Sequence, residues 1–61
     1  MKLTEVINFF RDNNCTIDIY ENKNNDFYFN LYNKESERWI LTDANEFMLR
    51  EFYLKCITPK N

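Results

Sequence analysis

The chain has 61 residues, which is enough for one small domain and no more. Ten acidic and eight basic residues give a net charge of −2, which disfavours binding to the phosphate backbone of nucleic acids. Histidine and glycine are both absent, which removes the commonest general base, the commonest zinc ligand and the glycine-rich loops that hold phosphates.

These absences argue against catalysis. We therefore expect no enzyme, no catalytic residue, no metal site and no cofactor. Cys15 and Cys56 are too few for a disulfide framework, and we expect both to be free, buried thiols. The first residues alternate charged and apolar types without the apolar run of a signal peptide, and no segment approaches the roughly 20 apolar residues of a membrane span. We expect a cytoplasmic protein.

The first predicted element is a helix from Thr4 to about Asn13. Thr4 is suited to the N-cap position, and the apolar residues recur at helical spacing. They are Leu3, Val6, Ile7 and Phe10. Asparagine tolerates the left-handed backbone conformation, so Asn13–Asn14 suits the end of this helix.

Three strands are predicted next, separated by polar turns. "CTIDIYE" (Cys15 to Glu21) alternates apolar and polar residues, as a half-buried strand does. The second strand runs from Phe27 to Tyr32 and the third, "RWILT", from Arg38 to Thr42. Both connections are short, which favours an antiparallel meander.

A second helix is predicted from Ala44 to about Ile57. Asp43 and Glu46 have the spacing of a capping box, and Pro59 limits continuation of the helix. The fold class is therefore α+β, with the order α-β-β-β-α, a three-stranded antiparallel meander and both helices on one face of the sheet.

Centring each hairpin on its turn predicts which residues face each other across the sheet. In the first hairpin Tyr20 pairs with Tyr28, Asp18 with Asn30 and Ile19 with Phe29. In the second, Tyr32 pairs with Arg38 and Leu31 with Trp39, although a slip of one residue would exchange Trp39 with Ile40. The predicted core face is Ile17, Ile19, Phe27, Phe29, Leu31, Trp39 and Leu41.

The other face of the sheet is the first candidate for function, because it is rich in tyrosine. Tyrosine is enriched at protein interfaces, and neighbouring acidic residues favour a partner with a basic surface. The predicted partner-binding residues are Asp18, Tyr20, Glu21, Asp26, Tyr28, Asn30, Tyr32 and Arg38. Tyrosine is also simply a good strand former, and an aromatic sheet face can instead stack single-stranded bases.

The second candidate surface lies on the second helix, which has more apolar residues than one stripe requires. A predicted oligomer surface comprises Phe47, Arg50, Leu54 and Ile57. It could instead be covered by the first helix and the C-terminal residues. A structural homodimer is therefore a further alternative.

The order and lengths of "MKLTEVINFFRDNNCTIDIY", "FYFNLYN", "RWILT" and "NEFMLREFYLKCI" resemble those of phage-encoded anti-CRISPR proteins, in particular small Cas9 inhibitors. The resemblance covers most of the chain and concerns topology and composition. It implies a small phage or mobile-element inhibitor that presents an acidic surface to the nucleic-acid-binding groove of a nuclease. A single-stranded nucleic-acid-binding module and a structural homodimer stay as the alternatives.

Overall fold

The computed structural model describes residues 2–58. Two helices and three strands follow one another in the predicted order. Their bounds are α1 Leu3–Asp12, β1 Cys15–Glu21, β2 Phe27–Asn33, β3 Arg38–Asn45 and α2 Glu46–Ile57. The predicted Pro59 boundary lies outside the described residues.

The strands form one antiparallel sheet in the order β1-β2-β3, so β2 is central and the other two are edges. Helix α1 packs against β1, and α2 packs against β2 and β3. The α-β-β-β-α fold is confirmed, and it is an α+β structure.

Helix α1 begins one residue before the prediction. Its N-cap is Lys2, which makes no side-chain capping hydrogen bond, so the predicted cap at Thr4 is wrong. The predicted stripe is confirmed, since Val6, Ile7 and Phe10 are buried. At the other end Asn14 takes the predicted left-handed conformation, with a φ of 64°.

The first hairpin has the predicted register throughout. Tyr20 pairs with Tyr28, Asp18 with Asn30, and Ile19 with Phe29. The turn is held by Asn22, whose Oδ1 accepts the backbone N–H groups of Asn24 at 2.8 Å and Asp26 at 3.1 Å. The asparagine side chain thus stabilises a tight turn in a chain that has no glycine.

The second hairpin does not have the predicted register. Tyr32 pairs with Trp39, and Arg38 pairs with Asn33. The register shifts twice along β3, between Leu31 and Tyr32 and between Phe29 and Leu31 of its partner strand. Bulges place extra residues in one strand, so the strict alternation assumed in the prediction fails.

The boundary between β3 and α2 is also corrected. Asp43 does not cap α2; it lies within β3 with a φ of 52°. The N-cap is Asn45, whose side chain accepts the backbone N–H of Met48 at 2.8 Å. Ala44 therefore belongs to β3, where it is fully buried opposite Phe29.

The core lies between the helices and the covered face of the sheet. Its buried members are Val6, Ile7, Phe10, Cys15, Ile17, Phe29, Leu31 and Leu49. Three predicted core residues are exposed: Ile19 by 44%, Phe27 by 50% and Trp39 by 55%. Ile19 and Phe27 are on the predicted face of the sheet but lie near the first turn. Trp39 lies on the other face, because it pairs with Tyr32 and not with Leu31.

Leu41, not Trp39, pairs with Leu31. Ile40 and Leu41 both pack, partly buried, against the core. Within residues 2–58, neither helix has the length and apolar character needed to cross a bilayer.

Candidate functional site

The candidate site is the face of the sheet that the helices leave uncovered, which we call the open face. By the alternation of side chains along each strand, it carries Thr16, Asp18, Tyr20, Tyr28, Asn30, Tyr32 and Trp39. Four of these side chains are aromatic. They form two separate pairs, one toward each end of the face.

The first aromatic pair lies near the β1–β2 turn. The rings of Tyr20 and Tyr28 are stacked, with centroids 5.8 Å apart and planes 24° apart. The Tyr20 hydroxyl donates a hydrogen bond to Oδ1 of Asp43. Tyr20 is on β1 and Asp43 is on β3, and these strands are not neighbours in the sheet. The Tyr20 side chain therefore extends across the central strand β2.

The second aromatic pair lies near the β2–β3 turn. Tyr32 and Trp39 meet edge to face, with ring centroids 5.0 Å apart and planes 67° apart. Trp39 is 55% exposed, so much of its ring is available to another molecule. The sequence prediction missed Trp39 as a member of this face, although the alternative register would have placed it there.

Polar groups lie between the two aromatic pairs. Asp18 is exposed and pairs with Asn30 of the central strand. The side-chain oxygen of Asn30 accepts the backbone N–H of Asp43 at 2.8 Å, which supports the left-handed bend in β3. Asp43 is thus a second carboxylate at this face, although its spacing to Glu46 predicts a helix cap.

Arg38 was predicted to face Tyr32, and this is corrected. Arg38 pairs with Asn33, so by the alternation of side chains it lies on the opposite face of the sheet from Tyr32. The open face therefore has Trp39 where a positive charge was expected. The acidic groups Asp18 and Asp43 set its electrostatic character.

Glu21 and Asp26 lie at the edge of the site. Glu21 pairs with Phe27, so by alternation it belongs to the covered face at the end of the hairpin. Asp26 lies in the turn and lines an open cavity of about 410 Å³ between this turn and the start of α2. Asp26 adds negative charge beside the Tyr20–Tyr28 pair, whereas the predicted place of Glu21 at this face is corrected.

The hydrogen bond to Asp43 dominates the acid–base behaviour of Tyr20. Together with desolvation, the charge of Asp43 and neighbouring Tyr28, it raises the pKa of Tyr20 to about 12. The bond favours the protonated phenol, because a phenolate could not donate to the carboxylate. At neutral pH Tyr20 is a neutral, anchored aromatic side chain.

The two thiols lie on the other side of the sheet. Cys15 is buried as predicted, but Cys56 is exposed, which corrects the prediction for that residue. They line the same groove, of about 260 Å³. Desolvation raises the pKa of both thiols, so neither is activated as a nucleophile. Among residues 2–58 no three metal-ligating side chains come together.

The predicted oligomer surface is a separate region on α2. Phe47, Leu54 and Ile57 are exposed there, and Arg50 is half-buried in an ion pair with Glu46 at 2.8 Å. The excess of apolar side chains on this helix is therefore uncovered within the described part of the chain.

Comparison with models of known protein families, with curated proteins and with solved structures finds no match for this chain.

Proposed function

We propose that this chain is a non-enzymatic protein-binding module that uses the open face to bind a basic surface of its partner. The observation that carries the proposal is the arrangement on that face. Two packed aromatic pairs flank Asp18, and Asp43 anchors the Tyr20 hydroxyl.

Aromatic side chains of this kind suit a binding surface energetically. Tyrosine and tryptophan have few rotatable bonds, so they bury large areas at a low cost in conformational entropy. Ring packing within each pair holds the side chains before a partner arrives. Preorganisation of this sort lowers the cost of association.

The charge of the face selects the kind of partner. Asp18 and Asp43 favour lysine and arginine across the interface, and Asp26 in the adjoining turn adds a further negative charge. Tryptophan and tyrosine rings also attract cations through their faces. A basic protein surface satisfies both features.

The resemblance to anti-CRISPR proteins suggests one class of basic surface. The nucleic-acid-binding groove of a defence nuclease carries many lysine and arginine side chains, which ordinarily contact phosphates. We propose a groove of this class as the target, with inhibition by occupation of the groove. This role would place the protein in the cytoplasm of a bacterial host.

Single-stranded nucleic acid is the second candidate ligand, and the position of Trp39 favours it. An exposed indole beside Tyr32 is a suitable stacking platform for a base. The charge of the face opposes it, since Asp18 and Asp43 repel phosphates and Arg38 lies on the other parity. We therefore rank this ligand second.

The proposal is tested by capture from bacterial lysate with the tagged protein and two open-face variants, Asp18→Lys and Tyr28→Ala. Each variant should lower the retained amount of a specifically captured protein about tenfold, the loss typical of an interface hot spot. Asp12→Lys is the matched control, because it makes the same charge change at an exposed position on α1. It should leave capture unchanged.

The control separates a specific surface from general electrostatics. Equal loss in Asp12→Lys and Asp18→Lys would show that net charge alone governs binding, and would sink the open-face proposal. Salt-sensitive binding of a labelled oligo(dT) that is lost in Trp39→Ala would favour the nucleic-acid candidate.

A further inference from the structure

Exposed apolar side chains lie along one line of helix α2, which passes beside α1 where Leu54 shares a shallow cavity with Val6. Phe47 is 69% exposed, Leu54 48% and Ile57 42%. Leu49, which is fully buried, lies outside this line and faces the core. With the half-buried Arg50 between them, these residues form a continuous line that we call the outer stripe, consisting of Phe47, Arg50, Leu54 and Ile57.

The spacing of the outer stripe is that of a coiled-coil seam. Its members are separated by three, four and three residues, which are the intervals between a and d positions of a heptad repeat. The same intervals are read in either direction along the helix. A second α2 lying antiparallel therefore presents a complementary stripe to the first.

We propose that the outer stripe binds a second copy of this chain, with the two α2 helices antiparallel. In this arrangement Phe47 of each copy packs against Ile57 of the other. Arg50 packs against Leu54 of the other copy. Every residue of the stripe then faces another member of the stripe, as an isologous twofold interface requires.

Charge distinguishes the antiparallel arrangement from a parallel one. Parallel helices would place the two Arg50 guanidinium groups opposite each other within the seam, where like charges are destabilising. The antiparallel arrangement separates them and lays the aliphatic part of Arg50 along Leu54. Each Arg50 keeps its own ion pair with Glu46, at 2.8 Å.

This dimer is independent of the proposed function. Helix α2 packs on the covered face of the sheet, so pairing through the outer stripe leaves the open face available. A helix of 12 residues is about 18 Å long, and two such helices bury less than a standard interface of about 1,600 Å². We expect a weak dimer, with half-association at a concentration on the order of 100 μM.

Sedimentation equilibrium of the purified chain tests the proposal. As concentration rises from about 5 μM to about 1 mM, across the expected midpoint, the average mass should increase from 7.6 kDa toward twice that value. Leu54→Glu should keep the mass near that of the monomer over the whole range. Both proteins are checked by circular dichroism, so loss of folding is not mistaken for dissociation.

Met48→Glu is the matched control. Met48 is on the same helix and 46% exposed, nearly as much as Leu54, but it lies outside the outer stripe. This variant should dimerise as the wild type does. A wild-type mass that stays at 7.6 kDa throughout, or equal dissociation by the two variants, would overturn the proposal.

The orientation is tested by disulfide crosslinking in a Cys56→Ser background, which removes the exposed native thiol. Phe47→Cys and Ile57→Cys chains, made with different tags, are mixed and oxidised. Antiparallel pairing predicts that crosslinks between the two variants exceed those within either variant. A preference for Phe47→Cys self-crosslinks would overturn the antiparallel arrangement.

Discussion

At the scale of single residues, Tyr20 shows how the open face is held in order. Its ring stacks on Tyr28 and its hydroxyl binds Asp43, so both ends of the side chain are fixed. An ordinary exposed tyrosine on a strand would rotate freely. The Asp43 contact therefore converts a strand residue into part of a preorganised surface.

The first prediction concerns the titration of Tyr20. Its folded-state pKa of about 12 is above the ordinary value of 10.0, so the folded protein holds this proton more tightly than the unfolded chain. The associated stabilisation is fully present below pH 10 and is lost as the pH rises toward 12. Ultraviolet absorbance of the phenolate should show one tyrosine ionising late.

Two variants assign that titration to its cause. Tyr20→Phe should remove the late step, and Asp43→Asn should move it to lower pH, because the charged acceptor of the hydrogen bond is lost. A late step that persists in Tyr20→Phe would belong to another tyrosine, contrary to the contact with Asp43.

At the scale of secondary-structure elements, the boundary between β3 and α2 is set by two polar residues, Asp43 and Asn45, with the buried Ala44 between them. Asp43 bends β3 through its left-handed conformation, and Asn45 ends the strand and caps α2. A strand therefore passes directly into a helix. Asp43 sets the bend and Asn45 sets the start of the helix, so substitutions at the two positions should have different effects.

The second prediction concerns the cap. Asn45→Ala should lower the free energy of unfolding by about 1 kcal/mol, because it removes the acceptor for the Met48 backbone N–H. Thr4→Ala should have little effect, since Thr4 is exposed inside α1 and does not cap it. Urea denaturation followed by circular dichroism measures both. The reverse order of effects would contradict the described caps.

The first hairpin could be predicted from the sequence because its strands alternate regularly. Ile17 and Ile19 share a parity, as do Phe29 and Leu31, and only one register brings the two sets together. The Tyr20–Tyr28 pair of the candidate site followed from that register. Local pattern and tertiary structure agree in this part of the chain.

The second hairpin could not be predicted in the same way, because two adjacent residues, Ile40 and Leu41, both pack toward the core. A bulge leaves no mark in an apolar–polar pattern, so Trp39 and Arg38 were placed on the wrong faces. Asp43 was missed for a related reason. Asp43 and Glu46 have the spacing of a capping box, which predicts a helix start at the wrong residue. The one property of Asp43 that indicates a bend is that aspartate tolerates a positive φ.

At the scale of the whole molecule, stability depends on a small number of side chains. A chain of this length has a total free energy of unfolding of roughly 3–9 kcal/mol. The core is a single layer between the helices and the sheet, and Phe29 and Leu31 of the central strand are completely buried in it. Loss of one such side chain removes a large fraction of the stability.

Phe27 and Phe29 allow a matched test of this view. Both are phenylalanines of β2 with the same parity, and the sequence places both in the core. Phe29 is fully buried, whereas Phe27 is 50% exposed beyond the cover of the helices. The same substitution at the two positions therefore compares a core ring with a peripheral one in the same strand.

The third prediction is that Phe29→Ala lowers the free energy of unfolding by about 3–5 kcal/mol, which is roughly a third or more of the total. Phe27→Ala should cost about 1 kcal/mol, because its ring already contacts water over half its surface. Thermal and urea denaturation followed by circular dichroism measure both losses. Equal losses would place Phe27 in the core with Phe29 and contradict the packing described for this end of the sheet.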